Sequence, residues 1–294
     1  MKLISVLAAL STTVLASLPV RAMTDAQEIE MGAGVAQKVE DRFGGVLPDG
    51  DPLARRVQRL GAPFARLSSR RGIGYSYKVL KNDRVLNAFA APGGRIYITR
   101  RLVNMAANDA ELAAILGHET AHTDRRHIAA TFEKFGRDQR AGTALGDKLL
   151  GKGKQGIGRS FISLGALIAF VVASPGYSRR HESEADALSA RWMSRLGLDP
   201  RAEISILGKA DRKAAVGEIE RYWASHPAIR ERNATLARLI AQENLLAVAR
   251  ENGGPRLWWS GRQASAKKRA RRTRRHRRVV RKRRIAQVMG QKYA

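Results

Sequence analysis

Apolar residues recur at helical spacing through most of the chain. The stretches that carry this period, or that open on helix-start residues, are 24–43, 51–67, 108–126, 183–196, 200–221 and 227–250. Thr24 is followed three residues later by Gln27, and Asn108 is followed by Glu111, which are pairs that favour a capped helix start. The pattern therefore predicts a mainly helical chain.

A short β region interrupts the helices between residues 73 and 99. Apolar and polar residues alternate at 75–79 and 96–98, and a further run, mostly apolar, lies between them at 85–90. Lys-Asn-Asp from residue 81 and Pro-Gly-Gly from residue 92 are turn sequences that separate the runs. The pattern predicts a small antiparallel three-stranded sheet, and the expected fold class is α+β.

The first 22 residues have the features of an export signal. Lys2 precedes an apolar run, Pro19 interrupts that run before it is long enough for a membrane anchor, and small residues lead up to Ala22. We expect cleavage after Ala22 and a mature chain in the periplasm or another extracytoplasmic space. A second uncharged stretch, at 161–173, is shorter than the about 20 residues that a spanning helix needs and predicts a buried helix.

Basic residues are concentrated at the carboxyl end. The 294 residues include 54 Lys and Arg against 26 Asp and Glu, a formal charge of +28, and no acidic residue follows Glu251. We expect a signal at 1–22, a folded domain at 23–250 and a basic, disordered tail at 251–294. The absence of cysteine excludes thiol catalysis, disulfides and Cys-type zinc sites.

The strongest chemical signal is the sequence His-Glu-Thr-Ala-His at 118–122. Residues four apart on a helix lie about 40° apart around its axis, so the two histidines can chelate one zinc ion. Glu119 lies beside that point and can reach a water on the metal without being a ligand. Two buried core histidines are the structural alternative. The nearby His127 and His181 are expected to face solvent.

A third zinc ligand is expected from a second helix. Catalytic zinc has three protein ligands and an open position. Glu182 and Asp186 are four residues apart and share a helix face, whereas Glu184 lies on the opposite face. We assign Glu182 to the metal. Asp186 is expected to accept a hydrogen bond from the second nitrogen of a zinc-binding histidine, and His118 is the preferred partner.

Together, these motifs resemble metallopeptidase family 48. The resemblance is carried by the run at 87–99, the HExxH motif, the ExxAD motif that begins at Glu182 and Ser-His-Pro at 225–227, and it covers about residues 24–239. The family contains the HtpX, CAAX prenyl and BepA-like proteases, and the chain is most similar to its soluble periplasmic branch. The resemblance implies a zinc endopeptidase of the gluzincin type with one zinc per chain.

The resemblance also implies roles for individual residues. His118, His122 and Glu182 would be the zinc ligands, and Glu119 would be the general base. The run at 93–99 would be the edge strand along which an extended substrate adds by β-augmentation. The substrate-binding residues implied are Gly93, Gly94, Arg95, Ile96 and Tyr97.

Three interpretations of His226 remain open. It precedes Pro227, which suits the first turn of a helix, and Arg230 follows four residues later. His226 can donate a hydrogen bond to the oxyanion that develops opposite zinc, cap the helix, or occupy the fourth zinc position in the resting enzyme. Arg230 is expected to anchor Asp186 or Glu182.

The tail suggests a further contact. Residues 267–284 hold 13 Lys and Arg, so the tail is either a self-repelling disordered segment or a helix on an anionic membrane or envelope polymer. The export signal argues against nucleic acid as the partner.

Two functions of the protein remain open. One is a zinc endopeptidase that acts on misfolded or misassembled envelope proteins. The other is a non-catalytic zinc protein that docks on an anionic surface or nucleic acid through the tail. Glu119 favours the peptidase, because a structural zinc site has no need of an uncoordinated carboxylate.

Overall fold

The computed structural model describes residues 23–131, 133–134, 177–214, 226 and 229–253, with only the backbone given for 210–214. The expected signal, the apolar stretch at 161–173 and the tail beyond 253 lie outside these residues. The helices are α1 (Asp25–Arg42), α2 (Pro52–Leu67), α3 (Arg100–Met105), α4 (Asp109–Asp124), α5 (Arg179–Arg195), α6 (Arg201–Ala214), α7 (Ile229–Gln242) and α8 (Leu245–Glu251). The strands are β1 (Ser76–Leu80), β2 (Ala88–Ala91) and β3 (Arg95–Thr99). A mainly helical chain with one small sheet confirms the α+β class.

The helix starts follow the local signals. Thr24 Oγ1 accepts the N–H of Gln27 and the Gln27 side chain accepts the N–H of Thr24, so the predicted capping box opens α1. Asn108 Oδ1 accepts the N–H of Glu111 and opens α4. The prediction of a single helix at 227–250 is wrong. Asn244 adopts a left-handed conformation with φ of 49° and separates α7 from α8.

The sheet is mixed, and the expected antiparallel meander is wrong. The strand order is β1-β3-β2, with β3 in the centre, parallel to β1 and antiparallel to β2. The outer edge of β1 is taken by the chain before α2, because Leu47 N–H donates to Val79 O and Lys81 N–H donates to Gly45 O. The inner edge of β1 is taken by β3 rather than by β2, and β2 pairs on the far side of β3.

Helices cover both faces of the sheet. The face toward α1 holds a small aromatic cluster in which Phe89 contacts Phe43 and Tyr97, with ring centroids 5.8 and 5.4 Å apart. The main core lies on the other face, between the sheet, α2 and α4. Every residue of α4 from Ala110 to Asp124 is buried. A helix buried all round is held by neighbours on every side, which makes α4 the rigid centre of the fold.

A glycine permits close packing around α4. A Cβ on Gly117 would lie 2.8 Å from Phe64 Cε1 of α2 and 2.9 Å from Ser189 Oγ of α5. The neighbouring helices therefore approach α4 next to its first motif histidine. Among the described residues, no helix is both long and apolar enough to cross a membrane.

Candidate active site

Two helices supply the motif side chains. His118, Glu119 and His122 lie on the buried length of α4, and each is at most 2% exposed. Ser178 Oγ accepts the N–H of His181 and caps α5, so that Glu182 lies in the first turn of that helix. Because α4 packs on α5, the first turn of α5 brings the Glu182 carboxylate to the two histidines of α4.

Four buried donors converge at this point: His118, His122, Glu182 and His226. The distances are 3.0 Å from His118 Nε2 to His122 Nε2, 3.3 Å from His118 Nε2 to His226 Nδ1, 3.4 Å from His122 Nε2 to Glu182 Oε1 and 3.1 Å from His226 Nδ1 to Glu182 Oε1. A tetrahedral zinc shell with bonds of about 2.0 to 2.1 Å places its donors about 3.3 Å apart. The donor types and their spacing therefore fit a zinc ion.

Glu119 lies beside the donors without joining them. Its Oε2 accepts the N–H of Ala90 at 3.1 Å, and its Oε1 lies 3.6 Å from His226 Nε2. Oε1 makes no hydrogen bond within the part of the chain that the structure describes. Burial raises the pKa of this carboxyl above its usual range. A buried carboxylate with one free oxygen and a raised pKa is suited to accept a proton.

Asp186 contacts the second nitrogen of His118, as predicted. Asp186 Oδ1 lies 3.0 Å from His118 Nδ1, which leaves Nε2 of that ring toward the donor cluster. Burial acts to raise the pKa of Asp186, but the Arg232 guanidinium and His118 lower it below its usual range. The carboxylate is therefore held ionised, as a partner that orients a metal-binding histidine must be.

The buried cation of the site is Arg232, and the expectation that Arg230 anchors Asp186 or Glu182 is wrong. Arg232 donates from Nε and Nη2 to the two oxygens of Asp186, at 2.9 and 2.6 Å, and its Nη1 lies 2.5 Å from Glu182 Oε2. Arg230 is exposed, in the first turn of α7. Residues two apart point in nearly opposite directions on a helix, so only one of the two arginines can face α5.

Two other buried groups near His118 and His122 were not expected from the sequence. Glu203 of α6 lies with Oε1 3.5 Å from His118 Nδ1, and burial raises its pKa to about 8. Tyr177 stacks on His122, with ring centroids 3.8 Å apart and planes inclined by 22°. Neither residue belongs to a motif, so only the packing of α6 and of the start of α5 reveals them.

His127 is buried, and the expectation that it faces solvent is wrong. It is 2% exposed, and its Nδ1 lies 3.0 Å from His122 Nδ1. Burial lowers the pKa of His127 to about 4, so the ring is neutral near pH 7. His181 is half-buried and stacks on His127, with ring centroids 4.2 Å apart.

The residues expected to bind substrate, at 93–97, do not lie on a free edge of the sheet. Gly93 and Gly94 form a buried turn packed against α1 and Gly74, and a Cβ on Gly93 would lie 2.8 Å from Ile29 Cα. Arg95, Ile96 and Tyr97 belong to β3, whose backbone is paired on both sides. A central strand has no free edge, so this assignment is wrong. The edge strand that borders the site is β2, whose Ala90 contacts Glu119.

Comparisons with known proteins are consistent with this geometry. Residues 52–240 match the model of Peptidase family M48. The chain is 29% identical over 184 residues to the Mitochondrial metalloendopeptidase OMA1 of Arabidopsis thaliana, an alignment that covers 60% of this chain and 34% of that protein. It is 28% identical over 184 residues to the Beta-barrel assembly-enhancing protease of Yersinia pestis, covering 60% of this chain and 37% of the relative.

A third relative aligns over a longer part of the chain. The Mitochondrial metalloendopeptidase OMA1 of Schizosaccharomyces pombe is 27% identical over 207 residues, which cover 70% of this chain and 58% of the relative. In all three comparisons the chain spans less than two thirds of the relative's length. The family match contains α4, α5, His226 and Arg232, which are the parts that build the donor cluster. The chain belongs to Peptidase family M48, a family of metallopeptidases.

Proposed function

We propose that the protein is a zinc-dependent endopeptidase in which His118, His122 and Glu182 bind one zinc ion. The observation that carries the proposal is the cluster of buried donors with Glu119 beside it, 3.6 Å from His226 Nε2 and outside the donor set. Membership of a metallopeptidase family supports the same reaction class. Zinc would supply Lewis acidity to a water molecule and to the scissile carbonyl.

Glu119 is the general base in this proposal. Its free oxygen takes the proton from the attacking water, and the protonated carboxyl then gives that proton to the leaving amine. Such proton transfer contributes roughly 10²- to 10⁴-fold in rate. The hydrogen bond from Ala90 N–H to the other oxygen keeps the carboxylate in one orientation during both steps.

His226 has two roles in the proposal, at different stages. In the resting arrangement its Nδ1 lies at ligand spacing from His118 and Glu182, which supports a position in the fourth zinc site. During the reaction the imidazole would instead donate a hydrogen bond to the oxyanion that develops on the scissile carbonyl. The helix-capping interpretation is less favoured, because the ring is 1% exposed and faces the donor cluster.

Substrate would bind as an extended strand along β2. Ala88 and Ala90 lie on the strand that borders α4, and the Ala90 N–H points away from β3, toward Glu119. An added strand pairs through its backbone, so recognition along β2 is tolerant of sequence. This tolerance suits a protease for misfolded or misassembled proteins.

The location and partners are part of the same proposal. The export signal supports a periplasmic or otherwise extracytoplasmic enzyme acting on envelope proteins, and one class of relatives bears the name Beta-barrel assembly-enhancing protease. The basic tail would hold the enzyme near an anionic membrane or envelope polymer. Attraction of this kind contributes about 1 kcal/mol per basic residue close to the surface.

A non-catalytic zinc protein is the second candidate. The observation that favours it is His226, because four protein donors are also what a closed structural zinc site has. Glu119 separates the two functions, since a structural site gains nothing from a buried carboxylate with an unbonded oxygen.

The test uses the purified mature protein and its Glu119→Gln variant. We expect about one zinc per chain in both proteins, and cleavage of an unfolded substrate such as casein by the wild type alone. Glutamine keeps the size and the hydrogen bond from Ala90 N–H but cannot accept the proton. Cleavage retained by the variant, or a wild type that binds zinc and cleaves nothing, would contradict the proposed reaction.

A further inference from the structure

The second nitrogen of His122 faces another imidazole rather than a carboxylate. His122 Nδ1 lies 3.0 Å from His127 Nδ1, and His127 Nε2 lies 3.1 Å from Glu184 Oε2. If His122 binds zinc through Nε2, its proton is on Nδ1 and His127 Nδ1 is the acceptor. The proton of His127 is then on Nε2, and it is donated to Glu184. This hydrogen-bond chain therefore assigns one protonation state to each of His122, His127 and Glu184.

The two rings are held in their planes by stacking. Tyr177 covers one face of His122 with an inclination of 22°, and His181 covers a face of His127 with an inclination of 10°. Arg180 Nε donates to Glu184 Oε1 at 2.8 Å, so the carboxylate at the end of the chain is also fixed. The arrangement leaves little freedom for His127 to turn away from His122.

A strained turn places His127. Five residues along a continuous helix correspond to about 140° around the axis, which would direct His127 away from the side of His122. Instead α4 ends at Asp124, and Arg126 adopts a left-handed conformation with φ of 57°. Arg126 is held there because its Nη1 donates to Asp25 Oδ1 at 2.7 Å and its Nη2 donates to the carbonyl of Met23.

We propose that His127 is a positioning residue for His122, and that Glu184 acts on His122 only through His127. The inference rests on the proposed function, because it needs zinc on His122 Nε2. Asp186 plays the corresponding role for His118 directly. The two ligands of one helix are therefore oriented by different partners, His118 by a carboxylate and His122 by a neutral imidazole that ends on a carboxylate.

The experiment compares zinc dissociation constants, measured by competition with a chelator. His127→Phe leaves the Nδ1 proton of His122 without an acceptor, and we expect roughly 10- to 100-fold weaker zinc binding. His127→Asn retains an oxygen acceptor and should recover most of that loss. A purely structural role for the ring would predict the opposite order, because phenylalanine suits a buried site better than asparagine.

A second test substitutes Glu184, the partly exposed carboxylate that contacts His127. Glu184→Gln should weaken zinc binding several-fold in the wild type and add no loss to His127→Phe, since its effect passes through that ring. Glu231→Gln is the matched control, because Glu231 also pairs with an arginine of the first turn of α5, Arg179, at 3.2 Å, and contacts none of these histidines. We expect wild-type zinc affinity from the control.

The outcomes separate this inference from the proposed function. A wild type that binds no zinc would remove the proposed function itself. A wild type that binds zinc, with His127→Phe binding it equally well, would overturn the role of His127 alone. Additive losses in the double variant would show that Glu184 acts on the site by another route. Thermal unfolding of each variant in excess chelator shows that the apoprotein is folded when its affinity is measured.

Discussion

Arg232 binds Asp186 through two hydrogen bonds, from Nε to Oδ2 at 2.9 Å and from Nη2 to Oδ1 at 2.6 Å. The same guanidinium lies 2.5 Å from Glu182 Oε2 through Nη1. One buried cation therefore compensates two buried carboxylates of α5, one toward the donor cluster and one toward His118. Removing a single partner from such a group leaves an uncompensated buried charge.

Arg232→Gln should therefore destabilise the fold by about 3 to 5 kcal/mol. The loss should be larger in excess chelator than with zinc, because zinc itself compensates Glu182. Arg230→Gln is the control, since Arg230 is exposed in the same turn of α7 and an interaction of an exposed arginine contributes about 0 to 1 kcal/mol. Urea unfolding measures both variants. Equal losses would show that Arg232 has no special role in the site.

Glu182→Gln should weaken zinc binding far more than any other carboxylate change in α5, because it removes a charged donor from the cluster. Asp186→Asn, which acts through His118, should weaken zinc binding roughly 10- to 100-fold. Zinc competition assays measure both changes. If Glu182→Gln and Glu184→Gln gave equal losses, the assignment of Glu182 to the metal would be wrong.

His226→Ala tests the role of the imidazole at the fourth position. As the donor to the oxyanion, its removal should lower kcat and kcat/KM together by roughly 10²- to 10³-fold, with zinc retained. Steady-state kinetics and metal analysis of the same preparation measure this. Higher activity or a shorter lag in the variant would show that the resting position of His226 limits the rate, and would contradict its role as the donor. Unchanged zinc content and kinetics would exclude both roles.

Arg126→Ala and Arg126→Gly distinguish backbone strain from the ion pair with Asp25. Both variants lose the contact with Asp25, which is partly exposed and contributes about 0 to 1 kcal/mol. Only glycine adopts a φ of 57° without cost, so Arg126→Gly should be more stable than Arg126→Ala by about 1 kcal/mol. Urea unfolding gives the difference. A more stable alanine variant would show that the turn is not left-handed in solution.

Deleting residues 261–294 should leave cleavage of a small peptide unchanged and abolish salt-sensitive binding to vesicles of anionic lipid. The deletion removes 15 of the 16 basic residues that follow Glu251, and exposed charges are screened beyond about 8 Å at physiological ionic strength. Vesicle sedimentation at low and high salt measures the binding. Equal binding by the truncated protein would place the contact elsewhere.

The convergence of His118, His122 and Glu119 was determined by the sequence alone, because the spacing of residues on a helix is a local property. The same reasoning places Glu182 and Asp186 on one face of α5, and the contact of Asp186 with His118 confirms the predicted pairing. Helix starts at Thr24 and Asn108 were equally local, since each cap is formed within three residues.

The tertiary structure decided every feature that depends on how separate segments pack. β3 is central because it pairs with β1 in parallel across an intervening strand, a long-range pairing that alternating residues do not encode. Arg232 rather than Arg230 faces α5 because the packing of α7 selects one side of the helix. His127 contacts His122 because the turn at Arg126 is held by the chain start at Met23 and Asp25, about 100 residues earlier. Local periodicity describes each helix separately, whereas these contacts arise only when the helices pack together.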